Sequence, residues 1–111
     1  MITRMMRRAL PLAAAVMLVL GFAAYAAEPD TVTISNFAFA PAILSVAPGT
    51  KVTWTNKDEE PHTVTSADAG ATFKSAALDT DDKFSFTFDK PGTYKYFCSV
   101  HPHMSGTIIV K

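Results

Sequence analysis

From residue 31 to residue 111 the hydrophobic positions recur with a period of two. Val32 and Ile34 alternate with Thr31, Thr33 and Ser35, and Val52 and Trp54 alternate with Lys51, Thr53 and Thr55. Phe84, Phe86 and Phe88 share one parity against Lys83, Ser85 and Thr87. Tyr94, Tyr96 and Cys98 oppose Thr93, Lys95 and Phe97; Ile108 and Val110 oppose Thr107, Ile109 and Lys111. Such alternation puts successive side chains on opposite faces, so each run predicts a strand with one face on a core and the other in water. Turn chemistry separates the runs at Ala47-Pro48-Gly49-Thr50, at Asn56 to Pro61, and at Asp89-Lys90-Pro91-Gly92. Each Pro-Gly pair suits the centre of a type II turn, whose second central residue needs a positive φ. No stretch sustains a helical stripe, and Ser66 to Asp82 offers room for one short turn. Seven or eight short strands with this punctuation predict an all-β sandwich.

The first 26 residues do not belong to that pattern. Arg4, Arg7 and Arg8 precede an apolar run from Ala9 to Ala24, which is short for a membrane span, and Ala24-Tyr25-Ala26 places small residues where a signal peptidase cuts. Residues 1–26 therefore read as an export signal and residues 27–111 as one domain working outside the cytoplasm. An uncleaved anchor is the alternative. Removing the signal turns a net charge of zero into an acidic one, because seven Lys then face ten Asp plus Glu. No basic patch survives, which argues against nucleic acid as a partner.

One cysteine excludes an internal disulfide, so a small exported domain needs a metal, an intermolecular bridge or an unaided core. The chemistry concentrates in Cys98-Ser-Val-His101-Pro-His103-Met104, where Met104 is the one methionine outside the signal. A soft thiolate, borderline imidazoles and a soft thioether favour copper over cations that prefer oxygen. Structural zinc usually gathers more cysteines, and haem attachment needs a second cysteine. Two histidines and a cysteine in a plane with a weak axial methionine make a blue-copper electron-transfer site. His62, in Pro61-His62-Thr63, supplies a histidine from a second loop. His101 and His103 compete for the other position across Pro102. An extended segment points them in opposite directions, which leaves His103 facing solvent or at the rim. Asp58, Glu59 and Glu60 read as a solvated turn, or as a field that steers a basic partner.

Trp54-x-Asn56 followed by Pro61-His62, then Pro91-Gly92-Thr93-Tyr94-x-Tyr96-x-Cys98-x-x-His101-Pro102-x-Met104-x-Gly106, resembles the cupredoxins, most closely their amicyanin-like and pseudoazurin-like bacterial members. The resemblance spans nearly all of residues 27–111. It implies a Greek-key sandwich holding one type 1 copper, with His62, Cys98 and His101 as equatorial ligands and Met104 as the axial one. Asn56 and Pro61 would brace the ligand loops, and Val100, Pro102 and His103 would form a docking patch around His101. The implied function is a monomeric periplasmic carrier of single electrons, not an enzyme. Its partners would be redox proteins such as a c-type cytochrome or a dehydrogenase. A copper chaperone, in which the metal is the cargo, is the alternative. His103 departs from typical amicyanins, which carry an aromatic residue there.

Overall fold

The computed structural model describes residues 30–111, so the expected export signal and the cut after Ala26 lie outside the described residues. Eight strands follow one another in the order β1 (Thr31–Ser35), β2 (Ala38–Ala40), β3 (Ile43–Val46), β4 (Thr50–Asn56), β5 (Thr65–Ser66), β6 (Lys83–Phe88), β7 (Gly92–Phe97) and β8 (Ser105–Val110). They form two four-stranded sheets, ordered β2-β1-β4-β6 and β3-β8-β7-β5. The chain crosses between sheets, and this makes β1 parallel to β4 and β3 parallel to β8. This is the all-β sandwich that the alternation predicts, with the core between the two inner faces.

The inward parity is the expected one. Val32, Ile34, Val52, Trp54 and Phe88 of one sheet are buried, and so are Tyr96, Ile108 and Val110 of the other. Each such aliphatic or aromatic side chain contributes about 1.5–3 kcal/mol on leaving water. Trp54 lies at the centre, with Phe73 stacked 5.8 Å away and Tyr96 edge-on at 5.4 Å. Phe84, Phe86 and Tyr94 are only half-buried and pack against the core from its margin. Burial pushes the Tyr96 hydroxyl up to about 12, against a smaller opposing pull from the Trp54 N–H.

The two Pro-Gly turns differ. Gly49 has φ of 91°, and the Thr50 N–H donates to the Ala47 carbonyl at 3.2 Å, as a type II turn requires. Gly92, with φ of 156°, is already the first residue of β7 and pairs with Val110. That corner is closed instead by the Tyr94 hydroxyl, which donates to the Lys90 carbonyl at 2.6 Å. The stretch from Ser66 to Asp82 has turns but no helix, and single bridges join Leu78 to His62 and Lys74 to Thr65.

Gly106 of β8 faces Tyr96 of β7 in register. A Cβ there would drive into Cζ and the hydroxyl of Tyr96, whose ring is held by Phe39 at 4.7 Å and Trp54 at 5.4 Å. Gly106→Ala is therefore expected to cost roughly 1–3 kcal/mol by overpacking. Urea unfolding of the two proteins measures it, and equal midpoints would show that the Tyr96 ring has room to yield.

Candidate metal centre

At one end of the sandwich, the loop after β4 meets the loop between β7 and β8. The first loop begins at Asn56, a polar residue with no exposure at the end of a strand. Its Nδ2 donates to the carbonyls of Glu60 at 2.9 Å and Leu78 at 2.8 Å, and its Oδ1 accepts the Asp58 N–H at 2.9 Å. One side chain thus folds residues 57–60 back on the strand and ties them to the long loop. Burying an amide is tolerable because these hydrogen bonds replace water.

That frame places His62. Its backbone exchanges two hydrogen bonds with Leu78, at 3.2 and 2.8 Å. Its Nε2 stands 2.9 Å from the Asp58 carboxylate, so Nε2–H donates there and the Nδ1 lone pair is left for another partner. The next residue begins the second loop's anchorage. The Thr63 N–H donates to the Cys98 sulfur at 3.3 Å, and Thr63 Oγ1 accepts the Ser99 N–H at 2.8 Å. The Thr63 and Ser99 hydroxyls also meet at 2.9 Å. One residue of the first loop is therefore stitched to two adjacent residues of the other.

The second loop closes on itself. The Cys98 N–H donates to the Met104 carbonyl at 3.1 Å, and the Met104 N–H donates to the His101 carbonyl at 2.9 Å. The Cys98 sulfur then lies 3.8 Å from His62 Nδ1 and 3.8 Å from His101 Nδ1. Donor atoms of the three residues all lie within 4.8 Å of one another. Nitrogen and thiolate ligands about 2.0–2.3 Å from a shared ion, and about 120° apart, stand about 3.7 Å from each other. The spacing is that of a site already shaped for a metal.

Charge agrees with shape. Burial pushes the Cys98 thiol up, but the Thr63 N–H, the His101 and His62 imidazoles and the His101 N–H together outweigh it. The net pKa falls from the ordinary 9.0 to about 6. The sulfur is thus mostly thiolate at neutral pH, the form that binds metal.

The structure brings His62, Cys98 and His101 together and buries Met104, leaving 3% exposed. Asn56 makes the three hydrogen bonds to residues 58, 60 and 78. Pro61 is exposed beside His62 and contributes no side-chain hydrogen bond. Pro102 and His103 are exposed, as is Val100 at 52%, so His103 lies outside the cluster. Asp58 departs from the solvated turn expected for residues 58–60. Glu59 and Glu60 are exposed, but Asp58 is half-buried and accepts the backbone N–H groups of Asn36 and Phe37 as well as facing His62. Burial raises its carboxyl pKa, and those three donors bring it below the ordinary value. Sequence reasoning also missed Thr63 and Phe37.

A thiolate with two imidazoles, and a buried thioether in the same loop, fits a single type 1 copper site. Among the described residues no helix is long and apolar enough to cross a membrane.

Comparison with known proteins agrees. The family model for a cupredoxin-like domain matches residues 10–110. The chain is 34% identical over 84 residues to the amicyanin of Paracoccus denitrificans, covering 72% of this chain and 63% of that protein. The chain thus spans slightly under two thirds of that relative. A purple cupredoxin from Nitrosopumilus maritimus superposes with a TM-score of 0.69 at 34% identity, over 74% of this chain and 99% of that one. A Cu(I) form of an amicyanin variant gives 0.71 at 30% identity, over 80% and 89%. With the alternating sandwich, the stitched loops and the His-Cys-His cluster already in place, these matches put the chain in the cupredoxin-like family.

Proposed function

We propose that this protein is a blue copper electron carrier of the periplasm, with His62, Cys98 and His101 holding the metal and Met104 as its weak axial ligand. The observation that carries this reading is the cluster itself, with two Nδ1 atoms each 3.8 Å from one buried, acidified sulfur. Bound copper supplies a one-electron Cu(II)/Cu(I) couple. The chain's own residues do the rest. Asp58 and the Leu78 bridge fix the His62 ring, and the Thr63–Ser99 stitch fixes the sulfur relative to it. Donors held in place by the fold need not move when the charge changes, and this keeps reorganisation small. Buried Cys98 and His62 are sheltered from water, while His101 is half-exposed. It is the route by which an electron reaches the surface, between Val100 and Pro102.

Residues 27–111 would act as a monomer after the signal is removed. The donor and acceptor are redox proteins, such as a c-type cytochrome or a dehydrogenase, that dock on the exposed rim of Val100, Pro102 and His103. Amicyanin and plastocyanin relatives support a carrier over an enzyme. Adding Cu(II) to the metal-free protein tests the reading. An intense blue colour with narrow copper hyperfine splitting is expected, and a pale, ordinary copper spectrum overturns it. An intense colour of another hue would keep the thiolate bond and mean that the axial contact of Met104 is not the weak one proposed. Slow copper loss to chelators is expected of a carrier, whereas ready transfer of Cu(I) to an acceptor protein would favour the chaperone.

A further inference from the structure

β1 and β2 are joined by two residues, Asn36 and Phe37, with Ser35 paired to Ala38 across the hairpin. Both central residues have positive φ, 55° and 57°, as a type I′ turn demands. Asn tolerates this backbone. At the second position glycine is the preferred residue, and a phenylalanine is a genuine outlier. An outlier of this kind persists only where its surroundings hold it, and it points to a role for the side chain.

The surroundings are specific. Asp58 Oδ1 accepts the Asn36 N–H at 2.7 Å, and Oδ2 accepts the Phe37 N–H at 2.9 Å. The same Oδ2 stands 2.9 Å from His62 Nε2. One carboxylate therefore latches the turn and the buried imidazole together. The Lys57 N–H, donating to the Ile34 carbonyl at 2.8 Å, fixes the same two segments one step away.

The latched turn presents the Phe37 ring to both histidines. Its centroid is 5.0 Å from that of His62 at 87°, and 4.9 Å from that of His101 at 85°. Both are edge contacts, the arrangement that ring quadrupoles favour. Phe37 is 40% exposed, so its ring walls the two imidazoles off from solvent and does not fill the core. The two histidines are not equally secured without it. His62 has Asp58 and the Leu78 bridge, whereas among the described residues the His101 side chain has no hydrogen-bonding partner besides the Cys98 sulfur, and its ring packs against His62 and Phe37.

We propose that Phe37 is a positioning residue that clamps the His62 and His101 imidazoles in their ligating pose, with Asp58 as its latch. The clamp matters most for His101, the half-exposed ligand at the proposed exit of the electron. The inference rests on the copper reading above.

Phe37→Gly tests it, because this substitution removes the ring while giving the turn its preferred residue. A Phe37 that served only packing would lower the urea midpoint of Phe37→Gly and leave its copper affinity unchanged. The clamp predicts an unchanged or higher urea midpoint for the metal-free variant together with a copper dissociation constant raised about 10–100-fold, the usual cost of losing a group that orients a ligand. In the metal-free protein, the His101 ring resonances should also broaden or move while those of Trp54 stay put. Phe37→Asn, which tolerates the same backbone, serves if the glycine variant does not fold. A wild type that never turns blue refutes the copper reading. A blue wild type whose copper affinity and His101 resonances match those of the variant refutes the clamp alone.

Discussion

Cys98→Ser is expected to abolish the intense visible absorption proposed for the copper-loaded protein and to leave only weak, ordinary copper binding. The colour of a type 1 site depends on the copper–thiolate bond, and a serine hydroxyl is a harder donor that stays protonated at neutral pH. The same substitution reports on the metal-free protein. Cys98 has a folded pKa of about 6 against an ordinary value of 9.0, so the fold favours the ionised sulfur. A depressed acid contributes stability that is fully present above the unfolded pKa and is lost as pH falls through the folded one. Between pH 6 and 9 the metal-free wild type should therefore gain stability over Cys98→Ser, with a slope approaching ~1.4 kcal/mol per pH unit. Urea midpoints of both metal-free proteins across that range measure it. Parallel curves would mean that the thiol keeps its proton until metal displaces it.

Asn56→Ala has the largest expected effect on the fold. It deletes three hydrogen bonds at once, to the carbonyls of Glu60 and Leu78 and from the Asp58 N–H. The Leu78 carbonyl keeps only its longer bond from the His62 N–H, at 3.2 Å, and the expected loss is about 2–4 kcal/mol. The damage should spread to the metal, because the same bonds position Asp58, and through it His62. Ligand binding links the two effects, so the copper-loaded form should lose ~1.4 kcal/mol more than the metal-free form for each tenfold drop in affinity. Calorimetry with and without copper separates them. Equal losses in the two forms would show that Asn56 braces the loop without serving the ligand.

Much of this was legible in the chain because strand burial is a local, periodic signal. Val32 with Ile34, Val52 with Trp54, and Ile108 with Val110 announce their faces without any partner. The ligand types and their spacing name the metal before any fold is drawn. What stayed hidden depends on segments far apart in sequence. β2 and β3 lie in a short stretch interrupted by Pro41 that carries little alternation of its own, and β3 exists because β8 offers it a parallel partner. Asp58 looks like one of three adjacent acids, and only the fold carries it to Asn36 and Phe37, 22 and 21 residues away. One signal was available. Asn-Phe between two alternating runs occupies the place where a hairpin asks for Asn-Gly, and the missing glycine marks the residue that closes over the histidines.

The position of β8 sets an order of assembly. Although it is the last strand in the sequence, it lies inside its sheet, between β3 and β7, and follows directly on Met104. Until it arrives, β3 has no neighbour and the Cys98–Met104 loop has nothing to return to. Pairings between such distant segments form late and slowly. The pocket is therefore expected to be complete only once β8 has paired, and a metal to find its full set of donors only after that pairing.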